Sequence, residues 1–463
     1  MRKIIITVFF LTFISLEFVQ ADIVMTPYLQ AVTKSSIYVL VECSTQDTVT
    51  VMYGLTSSYG SSAKTESIEN TAASPVTYVH NVKLSGLQTN TFYYYKAVQG
   101  SSSSQGFSFR TAVDTGTSFR FVCMGDCRSG TSIHDQIAQR IFSANPIVLI
   151  YSGDLCYDST YNYWKSEFFR TNELNLIAQV PFFNAPGNHE SWKTNTQAFT
   201  QAPGSASGTQ AYYSFDYGDM HVLIINNEVP YNVGSAQYNF ALSDLASTTK
   251  QWKIVNSHHP AYCAGGHGED TTMIAMTQNI FVPNHVDMVI SGHSHFYQHN
   301  YVNNIHHMVI GTAGAPLYDP LIANYTLKSV KDYCYAVTDV TPTTFTMLVY
   351  NNVGTLLDSI RLVKTTSGMH NMNKNLDEFN LNQNYPNPFN PGTDINFHIA
   401  KKGFTTLKIY NLLGNEILTL ISSDLEPGDY HIKWDGSGYP SGTYFYRLQN
   451  EYFNESKKMV LVK

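Results

Sequence analysis

The stretch FRFVCMGDCR at residues 119–128 decides how the middle of this chain folds. Its mostly apolar run ends at Gly125, so a short strand would carry Asp126 into the turn that follows. Four further strings combine a turn with side chains that bind metal ions. They are GDLCY at 153–157, GNHE at 187–190, HHP at 258–260 and GHSH at 292–295. One such string is a weak signal, but the ordered set indicates a shared site.

Residues 117–363 alternate short apolar runs with helix-like stretches. Ile133, Ile137 and Ile141 recur at every fourth position and give one apolar face to a predicted helix at 132–145, which an Asn-Pro pair ends. Alternating strands and helices predict an α/β domain, in which loops at the carboxyl ends of the strands carry ligands. The strings are therefore expected to meet at one rim.

The flanking regions have a different pattern. Residues 23–112 show period-two alternation between clusters of Gly, Ser and Asn, which predicts a β-sandwich. Residues 364–378 are polar and are predicted to be a linker. Residues 379–463 contain strand-like runs and turns rich in Gly and Pro, which predict a second small β domain.

Composition limits the classes of protein and partner. The 463 residues are enough for about three domains. The net charge of −7 gives no basic surface, which argues against a nucleic-acid partner. Arg2 and Lys3, the apolar residues 4–15 and small residues near Ala21 predict a signal peptide at 1–21, with no integral membrane segment after its cleavage.

Six cysteines and several histidines leave alternatives open. Cys127 and Cys156 each lie close to a motif aspartate and allow a disulfide, while buried free thiols are the other interpretation. Among the remaining polar residues, five need an interpretation. His259 is expected outside the metal shell and His306 and His307 at the surface, while Glu190 is expected to orient His189 or nearby backbone. His134, on the predicted helix, has no sequence signal for a partner.

The residue types in the five strings suit phosphate chemistry. Hydrolysis of a phosphate ester needs charge neutralisation and a strong nucleophile. Two metal ions about 3.5–4 Å apart supply both, and a shared carboxylate is the natural bridge between them. Carboxylate and imidazole ligands suit iron, zinc and manganese.

This arrangement resembles the metallophosphoesterase superfamily and, within it, the purple acid phosphatases. The resemblance covers residues 23–363, where PYLQ at 27–30 and FSFRT at 107–111 match the edges of the family's fibronectin type III-like domain. It implies a calcineurin-like fold with four α+β layers. Its implied ligands are Asp126, Asp154, Tyr157 and His295 for one metal, and Asp154, Asn188, His258 and His293 for the other. The implied cofactors are Fe(III) with Zn(II), Fe(II) or Mn(II).

The resemblance also implies catalytic roles, with one departure. His189 would contact or protonate the ester, and His267 lies near the position of a second proton donor. Because His267 lies in a glycine-rich loop, a solvated side chain is the equal alternative. The first string has Arg128 where the family has glycine and other branches have a histidine ligand. A guanidinium stays protonated and cannot bind a metal, so Arg128 is predicted to bind a phosphate oxygen, with an ion pair as the alternative.

The tail resembles the type A sorting domain of the type IX secretion system. The matching segments are NYPNPFNP at 384–391, IYNLLG at 409–414, SGTYFYRL at 441–448 and KKM at 457–459. The resemblance implies export by that machinery across a Gram-negative outer membrane, to the cell surface or the medium. The alternative is a β-sandwich that binds carbohydrate.

These observations predict a secreted acid phosphatase that hydrolyses phosphate monoesters by attack of a metal-bound hydroxide. One alternative is a phosphodiesterase or nucleotide hydrolase on the same metals. The other is a surface binding protein with a degenerate site. Every implied ligand position is filled, which argues against the degenerate site.

Overall fold

A computed structural model describes residues 22–204, 206–364, 379–384 and 386–463. The predicted signal peptide, and the predicted linker after Lys364, lie outside the described residues. The chain divides into two units, the first containing the described residues up to 364 and the second those from 379.

The regular elements of the N-terminal region, within residues 22–112, are all strands. They are β1 (Tyr28–Gln30), β2 (Ser36–Cys43), β3 (Thr50–Gly54), β4 (Ser61–Lys64), β5 (Ser67–Asn70), β6 (Tyr78–Ser85), β7 (Phe92–Gln99), β8 (Ser102–Ser103) and β9 (Phe107–Arg110). One layer orders as β1-β2-β6-β5 and the other contains β4, β3, β7, β8 and β9. Val39 and Val82 of the first layer pack with Tyr95 and Phe109 of the second in one buried core. A β-sandwich therefore forms; its likeness to fibronectin type III stays a prediction.

The middle region combines strands and helices. Its strands are β10 (Phe119–Met124), β11 (Val148–Tyr151), β12 (Phe182–Asn184), β13 (Tyr213–Tyr217), β14 (Met220–Ile224), β15 (Trp252–Asn256), β16 (Met288–Ser291), β17 (Tyr297–Val302), β18 (Ile305–Ile310), β19 (Thr326–Val330), β20 (Tyr335–Val340), β21 (Thr344–Tyr350) and β22 (Leu356–Val363). Its helices are α1 (Thr131–Ala144), α2 (Tyr161–Tyr163), α3 (Thr171–Ile177), α4 (Thr194–Phe199), α5 (Ala236–Ser247) and α6 (Thr271–Met276), with π-helical segments at Trp164–Phe168 and Thr277–Phe281.

Two sheets pack face to face in the middle region. A seven-stranded sheet has the order β13-β14-β15-β16-β18-β17-β19, and a ten-stranded sheet contains β22-β21-β20-β10-β11-β12. Phe121 and Ile150 of the larger sheet share a core with Ile254 and Ile290 of the smaller one. Helices α1 and α3 cover the outer face of the larger sheet, and α5 and α6 cover that of the smaller. The predicted four-layer arrangement is present.

The ten-stranded sheet crosses the boundary between the N-terminal and middle regions. Strand β1 pairs in parallel with β12 through Gln30 and Phe182, so the order continues as β12-β1-β2-β6-β5. Tyr95 strengthens the junction, because its buried hydroxyl donates to the Ala178 carbonyl oxygen at 2.7 Å. One continuous sheet therefore spans the N-terminal and middle regions.

The topology explains why the five strings meet. β10, β11 and β12 run parallel in one sheet, and β15 and β16 run parallel in the other. Each of these strands is followed at its carboxyl end by one string. Helix α1 begins after the first string and buries Ile137 and Ile141; it ends at Asn145, whose φ of 53° stops the helix as predicted. All five turns therefore lie at one rim.

The second unit consists of strands β23 (Asn380–Leu381), β24 (Gly392–Ile399), β25 (Gly403–Asn411), β26 (Glu416–Leu425), β27 (Gly428–Asp435), β28 (Gly442–Gln449) and β29 (Asn454–Leu461). They form a three-stranded sheet, β23-β24-β27, and a four-stranded sheet, β26-β25-β28-β29. Trp434 of the first sheet and Tyr446 of the second share one buried core. The predicted small β domain is therefore present. Across the described residues, none of the helices has the length and apolar run that a membrane crossing needs.

Candidate active site

Three of the predicted ligands have strained backbone conformations. Asp126, Asp154 and His293 have φ values of 56°, 53° and 68°. Left-handed conformations cost a non-glycine residue roughly 1–3 kcal/mol and persist where the surrounding structure determines them. Each of these residues directly follows a glycine at a strand end. These left-handed conformations direct two carboxylates and one imidazole into the candidate metal site.

Glycines allow the turns to approach one another. A Cβ on Gly187 would lie 2.3 Å from Asp154 Oδ1, and a Cβ on Gly292 would lie 2.3 Å from Asp126 Oδ2. A Cβ on Gly153 would lie 2.7 Å from the Nδ1 atom of His258. Any larger residue at these three positions would displace a candidate ligand, so packing requires all three glycines, and Gly153 is also required by its φ of 83°.

One group of candidate ligands, here called the histidine half, contains Asn188, His258 and His293. The Nδ1 atom of His258 donates to the Ser152 carbonyl oxygen at 2.7 Å, which leaves a lone pair on Nε2. This Nε2 atom lies 2.9 Å from Asn188 Oδ1 and 3.2 Å from His293 Nδ1. With neutral imidazoles, lone pairs converge here in a geometry that suits a metal ion.

A second group, here called the carboxylate half, contains Asp126, Asp154 and His295. Their ligand atoms lie within 4.8 Å of one another, and all three residues are buried. His295 Nδ1 donates to the Pro316 carbonyl oxygen at 2.8 Å, so its Nε2 lone pair faces Asp126 Oδ1 at 3.3 Å. That oxygen has no hydrogen-bond partner among the described residues. A buried orphan carboxylate oxygen beside an imidazole lone pair also fits a cation.

Asp154 links the two halves. Its Oδ1 atom lies 3.3 Å from His258 Nε2, and its Oδ2 atom accepts a 3.1 Å hydrogen bond from Arg128. Burial alone would raise the pKa of Asp154, but His258, His189 and Arg128 together lower it. Asp154 therefore reaches His258 of the histidine half with one oxygen, while its ligand atom also lies within 4.8 Å of those of Asp126 and His295, so an ionised Asp154 is suited to bridge two metals. The donor set therefore fits the cofactors that the resemblance implies.

Arg128 points into this cluster. It is 6% exposed, its Nε atom bonds Asp154, and its Nη2 atom lies 3.3 Å from His295 Nε2. The structure therefore shows the ion pair that was the alternative in the sequence analysis. Phosphate binding by Arg128 stays a prediction.

Tyr157 lies beside the cluster with its ring 47% exposed. The ring centre lies 5.9 Å from Arg128 Cζ, 5.3 Å from the His189 ring and 5.2 Å from the Tyr163 ring. The phenolic oxygen forms no hydrogen bond to another candidate ligand within the described part of the chain. The structure thus brings together six of the seven predicted ligands, and metal binding by Tyr157 stays a prediction.

His189 and His267 flank the halves on the open side. His189 Nδ1 bonds the Tyr157 carbonyl oxygen, and its Nε2 atom lies 3.8 Å from Asp154 Oδ2. The exposed ring of His267 stacks on His293 with centroids 4.2 Å apart. Burial, and then the neighbouring His295, lower the pKa of His267. Both side chains therefore border the candidate ligands on their more exposed side.

Three residues that the sequence analysis missed shape the site. Glu167 accepts hydrogen bonds from the backbone nitrogens of Ser129 and Tyr157 at 3.1 and 2.6 Å, and so ties two of the strings together. The Tyr318 ring stacks on His295 at 4.2 Å, and its hydroxyl lies 3.4 Å from His267 Nε2. Asn227 Oδ1 accepts from the backbone nitrogens of residues 258 and 259 at 3.0 and 2.9 Å. No local motif marks any of the three.

Other polar predictions have mixed outcomes. His307 is buried at 2% exposure, so its predicted surface position is wrong, and His306 is partly buried. His134 is buried with its Nε2 atom 3.3 Å from Glu173 Oε2, although neither atom forms a hydrogen bond within the described residues. These side chains pack in the interior because their strands and helix face it.

The loop residues beside the motifs also have definite partners. Glu190 Oε1 accepts from the Gly187 backbone nitrogen at 2.9 Å, one of its two predicted roles. His259 Nδ1 lies 3.1 Å from Asp270 Oδ2, while its ring lies 4.4 Å from that of His293. All six cysteines are buried free thiols, so the disulfide interpretation is wrong.

Comparisons with known proteins identify related domains and relatives. A family model described as Calcineurin-like phosphoesterase matches residues 119–297, and one described as Secretion system C-terminal sorting domain matches residues 383–463. Purple acid phosphatase 21 of Arabidopsis thaliana is 29% identical over 239 residues, which is 48% of this chain and 53% of that protein. Probable inactive purple acid phosphatase 9 of the same plant is 27% identical over 229 residues, which is 38% of this chain and 35% of that protein.

A solved structure has the same fold. A purple acid phosphatase from yellow lupin (Lupinus luteus) seeds superposes with a TM-score of 0.64 over 73% of this chain and 74% of that chain, at 20% identity. The chain spans about half the length of the first curated relative it matches (53%). It therefore contains a calcineurin-like metallophosphoesterase domain with purple acid phosphatase homologues, followed by a C-terminal sorting domain of the type IX secretion kind.

Proposed function

We propose that this protein is an exported phosphatase that hydrolyses phosphate monoesters on a binuclear metal centre. The observation that carries the proposal is the position of Asp154, with one carboxylate oxygen toward His258 of the histidine half and the other toward Arg128, which also contacts His295 of the carboxylate half. The homologous phosphatases support the reaction class. The proposed cofactors are Fe(III), for which Tyr157 would supply a phenolate, and Zn(II), Fe(II) or Mn(II).

The two halves would hold one ion each, with Asp154 shared. The ions, when bound, would neutralise the phosphoryl oxygens and lower the pKa of a coordinated water. The remaining residues orient the substrate and move protons. Asn188 is exposed at the open side of the histidine half and is in reach of incoming solvent and ester.

His189 is the proposed proton donor to the leaving group. Its Nδ1 atom bonds the Tyr157 carbonyl oxygen, so its orientation is fixed, while Nε2 faces the cluster beside Asp154. An imidazole held in this way can deliver a proton from Nε2 to an alkoxide. His267 is the second proposed donor, and its distance of 3.4 Å from the Tyr318 hydroxyl limits where its ring can swing.

The sorting domain indicates export to the cell surface or the medium. We propose that the second unit is the segment that the type IX secretion machinery recognises. Its two sheets share their own buried core, which is consistent with a unit that can be presented to such a partner.

Replacing Asp154 with alanine tests the proposal. Since loss of outer-sphere partners alone costs a metal site about 10–100-fold, loss of the bridge is expected to lower the rate on para-nitrophenyl phosphate by at least about a hundredfold. Elemental analysis should show fewer bound metals. Asp158→Ala, in the same loop, is the matched control and should keep both rate and metals.

Hydrolysis by Asp154→Ala near the rate of the unmodified protein would disprove the mechanism. A faster rate on the bis-para-nitrophenyl diester than on the monoester would replace the phosphatase with the phosphodiesterase. A purified protein with neither metal nor activity would favour the degenerate binding protein.

A further inference from the structure

Arg128 uses the same atoms that a metal ion in the carboxylate half would use. Its Nε atom donates to Asp154 Oδ2 at 3.1 Å, and Nη2 lies 3.3 Å from His295 Nε2. Because His295 Nδ1 donates to Pro316, the Nε2 atom is the acceptor in this contact. A lone pair that accepts an N–H bond in this direction is not free to coordinate a cation.

The backbone holds Arg128 in reach of these atoms. The Ser129 backbone nitrogen donates to Glu167 Oε1 at 3.1 Å, and Ser129 has a φ of 70°. A Cβ on Gly130 would lie 2.2 Å from the Gly314 carbonyl oxygen, so the chain is also pinned on its other side. The turn therefore cannot carry the guanidinium away, and only rotation of the side chain can release Asp154 and His295.

The histidine half has no comparable cation. Asn188 Oδ1, His258 Nε2 and His293 Nδ1 face one another directly, and Arg128 contacts none of them in the described structure. An incoming ion would therefore compete with Arg128 for the ligands of the carboxylate half, but not for Asn188, His258 and His293.

We propose that Arg128 is a built-in competitor for the metal of the carboxylate half, so that the two ions load in order, with the histidine half first. This inference rests on the proposed binuclear site. An ion enters the carboxylate half only when the guanidinium leaves Asp154 and His295. Like charges also repel, so the guanidinium and the ion do not share this space.

The released arginine would remain beside Tyr157. That residue is 47% exposed, and its ring centre lies 5.9 Å from Arg128 Cζ in the ion-paired position, within range of a cation–π contact. Once Nε and Nη2 leave Asp154 and His295, these donors can bind a phosphate oxygen. The ion pair seen in the structure and the predicted phosphate contact are thus two positions of one side chain.

Equilibrium dialysis of the metal-stripped full chain against Mn²⁺ tests this order. The unmodified protein should bind one ion tightly and a second at least about tenfold more weakly. Arg128→Gln removes the guanidinium and its charge. It should raise the affinity for the second Mn²⁺ ion by about tenfold or more, while the affinity for the first is unchanged. Arg128→Lys keeps a charge with different geometry and should lie between the two. Arg170→Gln, which breaks an ion pair with Asp135 elsewhere, should leave both affinities as they were.

Two equal Mn²⁺ affinities in the unmodified protein would overturn the inference while leaving the proposed function intact. A second affinity that does not change in a folded Arg128→Gln protein would do the same. If Arg128→Gln does not fold, the loading curve of the unmodified protein and that of Arg128→Lys still decide. A chain that binds no Mn²⁺, Zn²⁺ or iron at all would remove both this inference and the binuclear proposal.

Discussion

The smaller sheet and its loops present histidines in two contrasting environments. His258 and His293, at the rim, turn imidazole nitrogens toward each other at 3.2 Å. His299, on β17, is also buried, but its nitrogens meet complementary partners: Asp358 at 3.0 Å and His306 at 2.8 Å. Each group therefore contains a buried histidine, His258 in the first and His299 in the second, and burial does not separate them. The metal-site candidates differ because their lone pairs face other acceptors.

The paired histidines form a structural network. Asp358 on β22 accepts from Tyr297 at 2.7 Å as well as from His299. Burial would raise the pKa of Asp358, but these bonds lower it. The network thus links the seven-stranded sheet to the far edge of the ten-stranded one, and it leaves no lone pairs converging on a common point.

The sharpest test of this contrast replaces one histidine from each group with alanine. His258→Ala should lower phosphomonoester hydrolysis by at least about a hundredfold, because it deletes a ligand of the proposed site. His299→Ala should keep the rate but destabilise the fold by about 1–3 kcal/mol, because it leaves buried partners unpaired. Rates and thermal unfolding midpoints measure the two effects.

The contrast would fail if both variants fold and lose the same fraction of activity. It would also fail if His258→Ala retained its bound metals. Circular dichroism at the assay temperature ensures that the compared proteins are folded.

A third kind of histidine sharpens the comparison through pH. Neither nitrogen of His307 bonds another described residue, and burial, with the nearby His306, lowers its pKa to about 3. The unfolded chain therefore takes up the proton first, so stability should fall as pH drops below about 6.5, by roughly 1 kcal/mol per pH unit. His307→Leu should remove this part of the acid sensitivity, as shown by unfolding midpoints between pH 7 and 4. Parallel curves for both proteins would contradict it.

His221 should show the smallest effect, with the opposite sign. Burial opposes its charge, but Asp216 and Asp244, each at 2.8 Å, raise the pKa of His221 above its usual value. Its contribution is complete below about pH 6.5 and is lost as pH rises through the raised pKa. His221→Gln should therefore destabilise the protein by about 1 kcal/mol at pH 6, and less at pH 9. A penalty that grew with pH would refute this assignment.

The sequence predicted elements wherever a local pattern reports burial. β10 (Phe119–Met124) matches its apolar run, and α1 ends at the predicted Asn-Pro pair, because both signals are carried by neighbouring residues. Strands β4 and β5 were missed, since their side chains are largely exposed and lack an apolar alternation. The β1–β12 pairing joins residues far apart in sequence, and no local pattern encodes it.

The same limit applies to the site. Asp126, Asp154 and His258 could be found because each follows a strand and the strands are parallel. Glu167 and Tyr318 come from a helical segment and a loop, and reach the site only through the fold. Arg128 points inward because Asp154 and His295, from two other loops, accept its hydrogen bonds. The sequence therefore indicated a positive charge at residue 128 but not where the guanidinium lies.

The shared strand pairing has a consequence for how this protein can be divided. β12 immediately precedes the string that contains Asn188, and its outer edge is covered by β1. Deleting the N-terminal sandwich would expose that edge of β12 to solvent, and an unpaired edge strand can pair with other chains. The deletion would also remove the β1 pairing that fixes β12, the strand before the Asn188 loop. The N-terminal sandwich therefore supports the rim that carries the candidate site. The fold of the sandwich and that of the rim are expected to be stable only together.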